Sequence, residues 1–116
     1  MQELSLPHKE PIRFAKYIIS KESNMARVKV EFNKIPSLAM MIEAAAQSSS
    51  AIGDDNTLMG FLVSLKNIKL LTVPTKTTLE VEILNEHNME KMKMMNFNIF
   101  EDEIKISTGS FIIALN

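Results

Sequence analysis

Apolar and polar residues alternate along most of the chain, and this period of two predicts strands. The clearest example is the segment 27–32, where Val28, Val30 and Phe32 alternate with charged residues. Alternation, or enrichment in β-branched and aromatic residues, predicts six strands at 13–20, 27–32, 60–72, 77–84, 91–100 and 104–115. The first two are expected to form a hairpin, and residues 85–90 are expected to form a polar turn.

One stretch departs from this alternation. Residues 35–53, IPSLAMMIEAAAQSSSAIG, are apolar or small on every side and predict one long, buried helix. Ser37 is the expected N-cap, and Gly53 is the expected terminating residue. Glu43 is the only ionisable side chain in the helix, and Gln47 follows one turn later. Because a buried carboxylate is costly unless it is paired or used, Glu43 is the first candidate functional residue.

The apolar phase slips by one residue inside two of the predicted strands, near Asn67 and at Gly109. Such a slip indicates a β-bulge, and bulges supply the curvature that a sheet needs to wrap a helix. The element order β-β-α-β-β-β-β therefore predicts an α+β fold, a curled antiparallel sheet around one long central helix. No repeat or linker divides the chain, so residues 1–116 are expected to form a single domain.

Composition narrows the classes of partner. The 116 residues are 46% hydrophobic and carry a formal net charge of −1, which gives no electrostatic case for nucleic acid or an anionic membrane. Without cysteine the chain has no disulfides or thiolate metal sites, which fits a cytoplasmic protein. The N-terminus does not resemble a signal peptide, and no window is apolar enough for a membrane span. Nine methionines favour an adaptable core over a methionine metal site.

The two histidines, His8 and His87, do not predict a metal site. His87 lies in the expected polar turn and is assigned to the surface. The two residues are far apart in sequence and lack the short spacing of ligands on one element. No glycine-rich phosphate loop is present, so neither a metal nor a cofactor is predicted.

Several short segments follow one another in an order that a known family shares. They are LPHKEP at 6–11, PSL at 36–38, MIEAAAQ at 41–47, GFLV at 60–63, and VP at 73–74 followed by LEVE at 79–82. This set resembles the hotdog-fold 3-hydroxyacyl-acyl-carrier-protein dehydratases and their dehydratase-like relatives, whose helix motif is PG-x-x-x-x-E-A-x-A-Q. The resemblance runs from about residue 6 to residue 82 and implies the hotdog fold.

The resemblance also implies roles for residues of the helix. Dehydration of a 3-hydroxyacyl thioester needs positioned acid and base groups and donors for the thioester carbonyl. Glu43 would be the acid or carboxylate partner, and Gln47 would hold its orientation. The first amides of a helix have no helical acceptor, so the N-terminus at Ser37, Leu38 and Ala39 is the expected carbonyl site.

The chain departs from the family pattern just before the helix. Family dehydratases carry a Gly-His-Phe-Pro element there, whereas residues 32–36 read FNKIP, are shorter and contain no histidine. In this respect the chain resembles the shortened dehydratase-like members of the aryl-polyene pathway type. His8 is the candidate to replace the missing base, and Phe61 is a further expected substrate-binding residue.

Three functions follow from the resemblance and the departure. The first is a dehydratase-like protein acting on acyl-acyl-carrier protein or acyl-coenzyme A. The alternatives are a non-catalytic acyl-binding or regulatory protein and, less favoured, a hotdog thioesterase. The family also implies a homodimer or a dimer of dimers, and pairing of the apolar segment 60–65 with its own copy would cover a sheet edge.

Overall fold

The computed structural model describes residues 2–3, 13–52 and 60–115. Within these ranges the chain forms one α-helix and seven strands: β1 (Gln2–Glu3), β2 (Ala15–Lys21), β3 (Met25–Glu31), α1 (Leu38–Ser48), β4 (Gly60–Leu70), β5 (Thr78–Met89), β6 (Met92–Glu101) and β7 (Ile104–Leu115). Neighbouring strands pair antiparallel in the order β1-β2-β3-β5-β6-β7-β4. Among the described strands, β1 and β4 are the edges, so this sheet is open.

The six predicted strands are confirmed, and the one wrong prediction lies between β5 and β6. The β2–β3 hairpin forms as expected, and each of the six predicted strands is present. The predicted polar turn at residues 85–90 is wrong, because β5 continues to Met89 and the turn is confined to residues 90–91. Near the hairpin tip both faces of β5 are exposed, so the strand needs no apolar alternation there.

The helix starts where the sequence predicts but is shorter. Ser37 Oγ accepts the Met40 N–H at 3.2 Å, and the first helical bond joins Met41 N–H to Ser37 O at 3.0 Å. α1 has 11 residues and a 3-10 turn adds 3, so the prediction of one long helix is wrong. Ser48 Oγ donates to Ala44 O at 2.7 Å and the next two serines do likewise, which weakens the last helical turn. Gly53 lies outside the described residues.

A single chain buries only one face of α1. The helix contacts β2, β3, β5 and β6, and its buried residues are Met41, Ala44, Ala45, Gln47 and Ser48. On the other side Ala39 is exposed, and Ile42, Glu43 and Ala46 are half-buried. The helix is therefore not enclosed on every side as the sequence predicts. These four residues, at helical spacings of three and four, are called the open face of α1 below.

The first predicted bulge is confirmed. Lys66 pairs with Ser110 and Lys69 with Thr108, so two residues of β4 oppose a single residue of β7. Asn67, the first of those two residues, has a φ of 54°. Asparagine tolerates this left-handed conformation better than most residues, which explains its place at the bulge.

The second bulge is present but lies earlier than Gly109. Ile99 pairs with Ser107, and the next pair along the ladder skips Ile106, which is the extra residue. Both Ile106 and Ser107 are buried, so the apolar phase changes between them. Ser107 is polar, so the change in which residues face the core is visible in the sequence only from residue 109 onward. For this reason the sequence predicts the bulge at Gly109 rather than at Ile106.

Gly109 itself marks a close approach between two strands. A Cβ atom at this position would lie 2.9 Å from Phe97 Cε2 and still closer to Ile68 Cδ1. Ile68 is the second residue of the β4 bulge and packs against the core. The missing side chain at Gly109 therefore makes room for the side chain that the bulge turns inward.

A buried carboxylate fixes the connection between β4 and β5. Glu101, 7% exposed, accepts the Thr75 N–H at 2.6 Å, the Thr75 hydroxyl at 2.7 Å and the Lys76 N–H at 2.9 Å. The Thr75 hydroxyl and these amides lower the pKa of the Glu101 carboxyl, because they favour its charged form. Glu101 thus ends β6 as a structural anchor.

Candidate functional site

Glu43 lies on the open face of α1 and is half-buried rather than enclosed in the core. Ala39 precedes it by one turn on the same face, and Ile42 and Ala46 flank it. Its neighbours on the open face are therefore apolar or small, while the face itself is accessible from outside the chain. This combination suits a carboxylate that meets a ligand or a second subunit.

Gln47 holds Glu43 and is itself held by β2. Its side chain is 3% exposed, and its Oε1 accepts the backbone N–H groups of Phe14 at 2.8 Å and Ala15 at 3.1 Å. Its Nε2 donates to Glu43 Oε1 at 3.3 Å. Because the oxygen is occupied by two donors, the network fixes which end of the amide faces Glu43. The Gln47 amide thus contacts one oxygen of the Glu43 carboxylate, and its role in orienting Glu43 for catalysis stays a prediction.

The N-terminus of α1 lies one turn before Glu43. Leu38 and Ala39 precede the first helical hydrogen bond, so their N–H groups are those that a helix leaves to a ligand or water. Ala39 stands one turn before Glu43, a rise of about 6 Å. The Ser37 side chain serves as the N-cap of α1, since its Oγ is occupied by Met40 N–H. The first turn of the helix thus carries amides without a helical acceptor, one turn before the Glu43 carboxylate.

Two other predicted site residues, His8 and Phe61, are not tested by the structure, and their roles stay predictions. His8 lies outside the described residues, and of Phe61 only the backbone is described, paired with Ala114 in β4. His87 is exposed, as predicted, but it lies in β5 rather than in a turn. Within the described ranges, no group of three or more His, Asp or Glu side chains is arranged to hold a metal ion.

Sequence reasoning missed the link between Gln47 and the start of β2. The partners of its oxygen, Phe14 and Ala15, lie 33 and 32 residues earlier in the chain. A signal was nevertheless present, because Gln47 falls beside Ala44 and Ser48 on the core side of the helix. A buried amide needs partners, so its position on that stripe predicts strong hydrogen bonds to another element.

Comparison with solved structures identifies the fold. No protein-family profile and no curated protein matches the chain. The ApeI:P dehydratase heterocomplex of Xenorhabdus doucetiae matches with a TM-score of 0.76 at 16% identity, over 96% of this chain and 88% of that one. A hypothetical thioesterase of Streptococcus pneumoniae, crystallised with coenzyme A, matches with 0.69 at 12% identity, over 85% and 84%. The protein smu.793 of Streptococcus mutans, bound to acetyl-CoA, matches with 0.71 at 12% identity, over 100% and 95%.

These identities establish the architecture alone. The fold of this chain, an antiparallel sheet packed on one helix, is similar to that of thioesterase-like and dehydratase-like structures. The chain therefore has the hotdog fold.

None of the helices in the described ranges is long and apolar enough to cross a membrane.

Proposed function

We propose that the chain is an acyl-thioester protein, dehydratase-like in its site, acting on acyl groups carried by acyl-carrier protein or coenzyme A. The observation that carries this proposal is the Gln47–Glu43 pair beside the open N-terminus of α1. A carboxylate fixed by a locked amide, one turn from the Ala39 N–H, suits proton transfer next to a bound thioester carbonyl. Similar folds crystallised with coenzyme A and acetyl-CoA support the substrate class.

The reaction assigned to this site is the loss of water from a 3-hydroxyacyl thioester. The α-proton leaves, the β-hydroxyl departs with a proton as water, and a double bond forms between the two carbons. Glu43 would transfer a proton, while the Leu38 and Ala39 N–H groups would bind the carbonyl oxygen as it gains charge. His8 is proposed as the second proton-transfer group, and Phe61 as part of the acyl-binding surface.

Thioester turnover by wild-type protein and by Glu43→Gln tests the proposal. Enoyl product and free thiol are followed with 3-hydroxyacyl and saturated acyl thioesters, and binding is measured separately. We expect enoyl product, lowered by about 10²–10⁴-fold in Glu43→Gln with binding retained. The matched control, Glu22→Gln in the exposed β2–β3 turn, should leave turnover unchanged.

The alternatives predict different results in the same assay. Free thiol without enoyl product would identify a thioesterase, in which Glu43 would activate water. Binding without turnover would identify the non-catalytic acyl-binding protein, and no binding of any thioester would refute all three functions. If enoyl product forms, His8→Ala should reduce it, and unchanged turnover would exclude His8 as the base.

We further propose a homodimer formed through β4. Leu62, Val63 and Leu65 are exposed in this edge strand, and an apolar edge favours pairing with another strand. Pairing of β4 with a second copy is two-fold symmetric and extends the sheet. Sedimentation should show a dimer that Val63→Lys dissociates, whereas Val73→Lys, in the exposed β4–β5 connection, should leave it intact. A wild-type monomer would refute the assembly.

A further inference from the structure

Methionines cluster at the tip of the β5–β6 hairpin, where they do not serve the core. Four of the nine methionines lie between residues 89 and 95. Met95 is buried, as the expectation of soft core packing requires. Met89 and Met92 are each 38% exposed, and Met94 is half-buried. Core packing therefore does not account for these three thioethers.

Strand register places the three thioethers and an imidazole on one face of the hairpin. Met89 pairs directly with Met92, and His87 pairs with Met94. Directly opposed residues share a face, as do residues two apart along one strand. Since Met95 and Phe97 point into the core, Met94 points to the outer face, away from α1. His87, Met89, Met92 and Met94 therefore form a two-by-two array on that face.

The array has room for its side chains to converge. Directly opposed Cβ atoms lie about 5 Å apart, and methionine has three rotatable bonds with which to direct its sulfur. On the β7 side Met92 pairs with the small residue Ala114, and Met94 pairs with Ile112. These features let the four donor atoms approach a common centre above the hairpin.

A carboxylate lies beside the array. Asn96, which follows Met94 by two residues and so shares its face, donates to the Glu86 carboxylate. That contact holds an acidic group next to His87 on the outer face. A carboxylate at this distance favours a cation over an anion without being needed as a ligand.

We propose that His87, Met89, Met92 and Met94 form a binding site for Cu(I). Thioether sulfurs are soft ligands that select Cu(I), and imidazole is also a good copper ligand. Mg²⁺ and Ca²⁺ require oxygen ligands, which this array of sulfur and nitrogen donors does not offer. The sequence predicts no metal site because the two histidines are far apart and the methionines are assigned to the core. Neither argument covers ligands that are brought together by the pairing of two strands.

Silver(I) titration followed by NMR tests the site, because Ag(I) has the same ligand preferences and no redox chemistry under these conditions. The protein is labelled with ¹³C at the methionine methyl groups and titrated with silver nitrate in chloride-free buffer. We expect one equivalent of Ag(I) to shift the methyl signals of Met89, Met92 and Met94. The buried methyls of Met41 and Met95 should stay unshifted as internal references.

Competition for Cu(I) against bicinchoninate, under reducing and oxygen-free conditions, gives the affinity. The double variant Met89→Leu/Met92→Leu removes two of four ligands and keeps the apolar volume, so the affinity should fall by at least about 100-fold. Met40→Leu, on the helix, should leave it unchanged. The proposal is overturned if Ag(I) leaves the three methyl signals in place, or if the folded double variant competes as well as wild type. Shifts confined to other methionines would likewise overturn it.

Discussion

Replacing Gln47 with methionine separates the packing of this side chain from its hydrogen bonds. Methionine is unbranched and of similar length, so it fills the same space, but its thioether is only a weak acceptor. The backbone N–H groups of Phe14 and Ala15, which reach Gln47 Oε1 at 2.8 and 3.1 Å, would then lack a strong acceptor. Because Gln47 is 3% exposed, water cannot readily replace the lost oxygen.

The magnitude follows from the two orphaned donors. A buried donor left without a partner costs about 1–3 kcal/mol, so two of them cost about 2–6 kcal/mol. The retained volume avoids a cavity, so no further term is added for lost packing. We expect Gln47→Met to lower the free energy of unfolding by about 3 kcal/mol. With a urea m-value of about 2 kcal/mol/M, the denaturation midpoint falls by about 1.5 M.

Urea denaturation and hydrogen exchange together check this prediction. The Phe14 and Ala15 amides should lose exchange protection in Gln47→Met more than other amides of the sheet. Ser50→Ala is the matched control. Ser50 Oγ donates to Gln47 O at 2.9 Å at the half-buried end of the helix, and the loss of this bond should change the free energy of unfolding by about 1 kcal/mol or less in either direction. A loss below about 1 kcal/mol in Gln47→Met, or unchanged protection at Phe14 and Ala15, would refute the anchoring role.

Two further substitutions test packing and charge elsewhere in the fold. Gly109→Ala should lower the free energy of unfolding by about 1–3 kcal/mol, because the new methyl group collides with Ile68 and Phe97; unchanged thermal stability would contradict this crowding. Glu101 has a folded pKa below its ordinary value of 4.5, so its contribution to stability is present above pH 4.5 and is lost as the pH falls through the folded pKa. The difference in unfolding free energy between wild type and Glu101→Gln should therefore shrink on acidification, and a pH-independent difference would refute the role of the Thr75 hydrogen bonds.

The alternation of apolar and polar residues predicts the strands of this protein because each strand buries one face and exposes the other to solvent. The prediction fails at the end of β5, where the residues after Asn85 have both faces exposed and no pattern is imposed on them. It also misplaces the β7 bulge, since the buried residue that starts the new phase is Ser107 rather than an apolar residue. The local pattern of apolar residues thus predicts the strands well. It predicts a bulge or a strand end only where apolar residues lie on both sides of it.

The candidate site is predictable only in its local part. Glu43 and Gln47 are one turn apart on a helix, so their hydrogen bond follows from sequence spacing alone. The bonds from Gln47 to Phe14 and Ala15 depend on where β2 lies against α1, which no local pattern encodes. The anchoring of Thr75 by Glu101 across 26 residues is missed for the same reason.

The tertiary bonds of Gln47 decide which variants can report on chemistry. A substitution of Gln47 that reduces turnover would also release the start of β2, so the lost activity could reflect a displaced strand. Glu43 receives its Gln47 hydrogen bond on the open face of α1, and glutamine at this position keeps an acceptor oxygen for it. Glu43→Gln therefore changes the capacity for proton transfer while preserving the helix and its anchor. A loss of turnover in Glu43→Gln at unchanged stability would thus locate the chemistry, a conclusion that no variant of Gln47 can support alone.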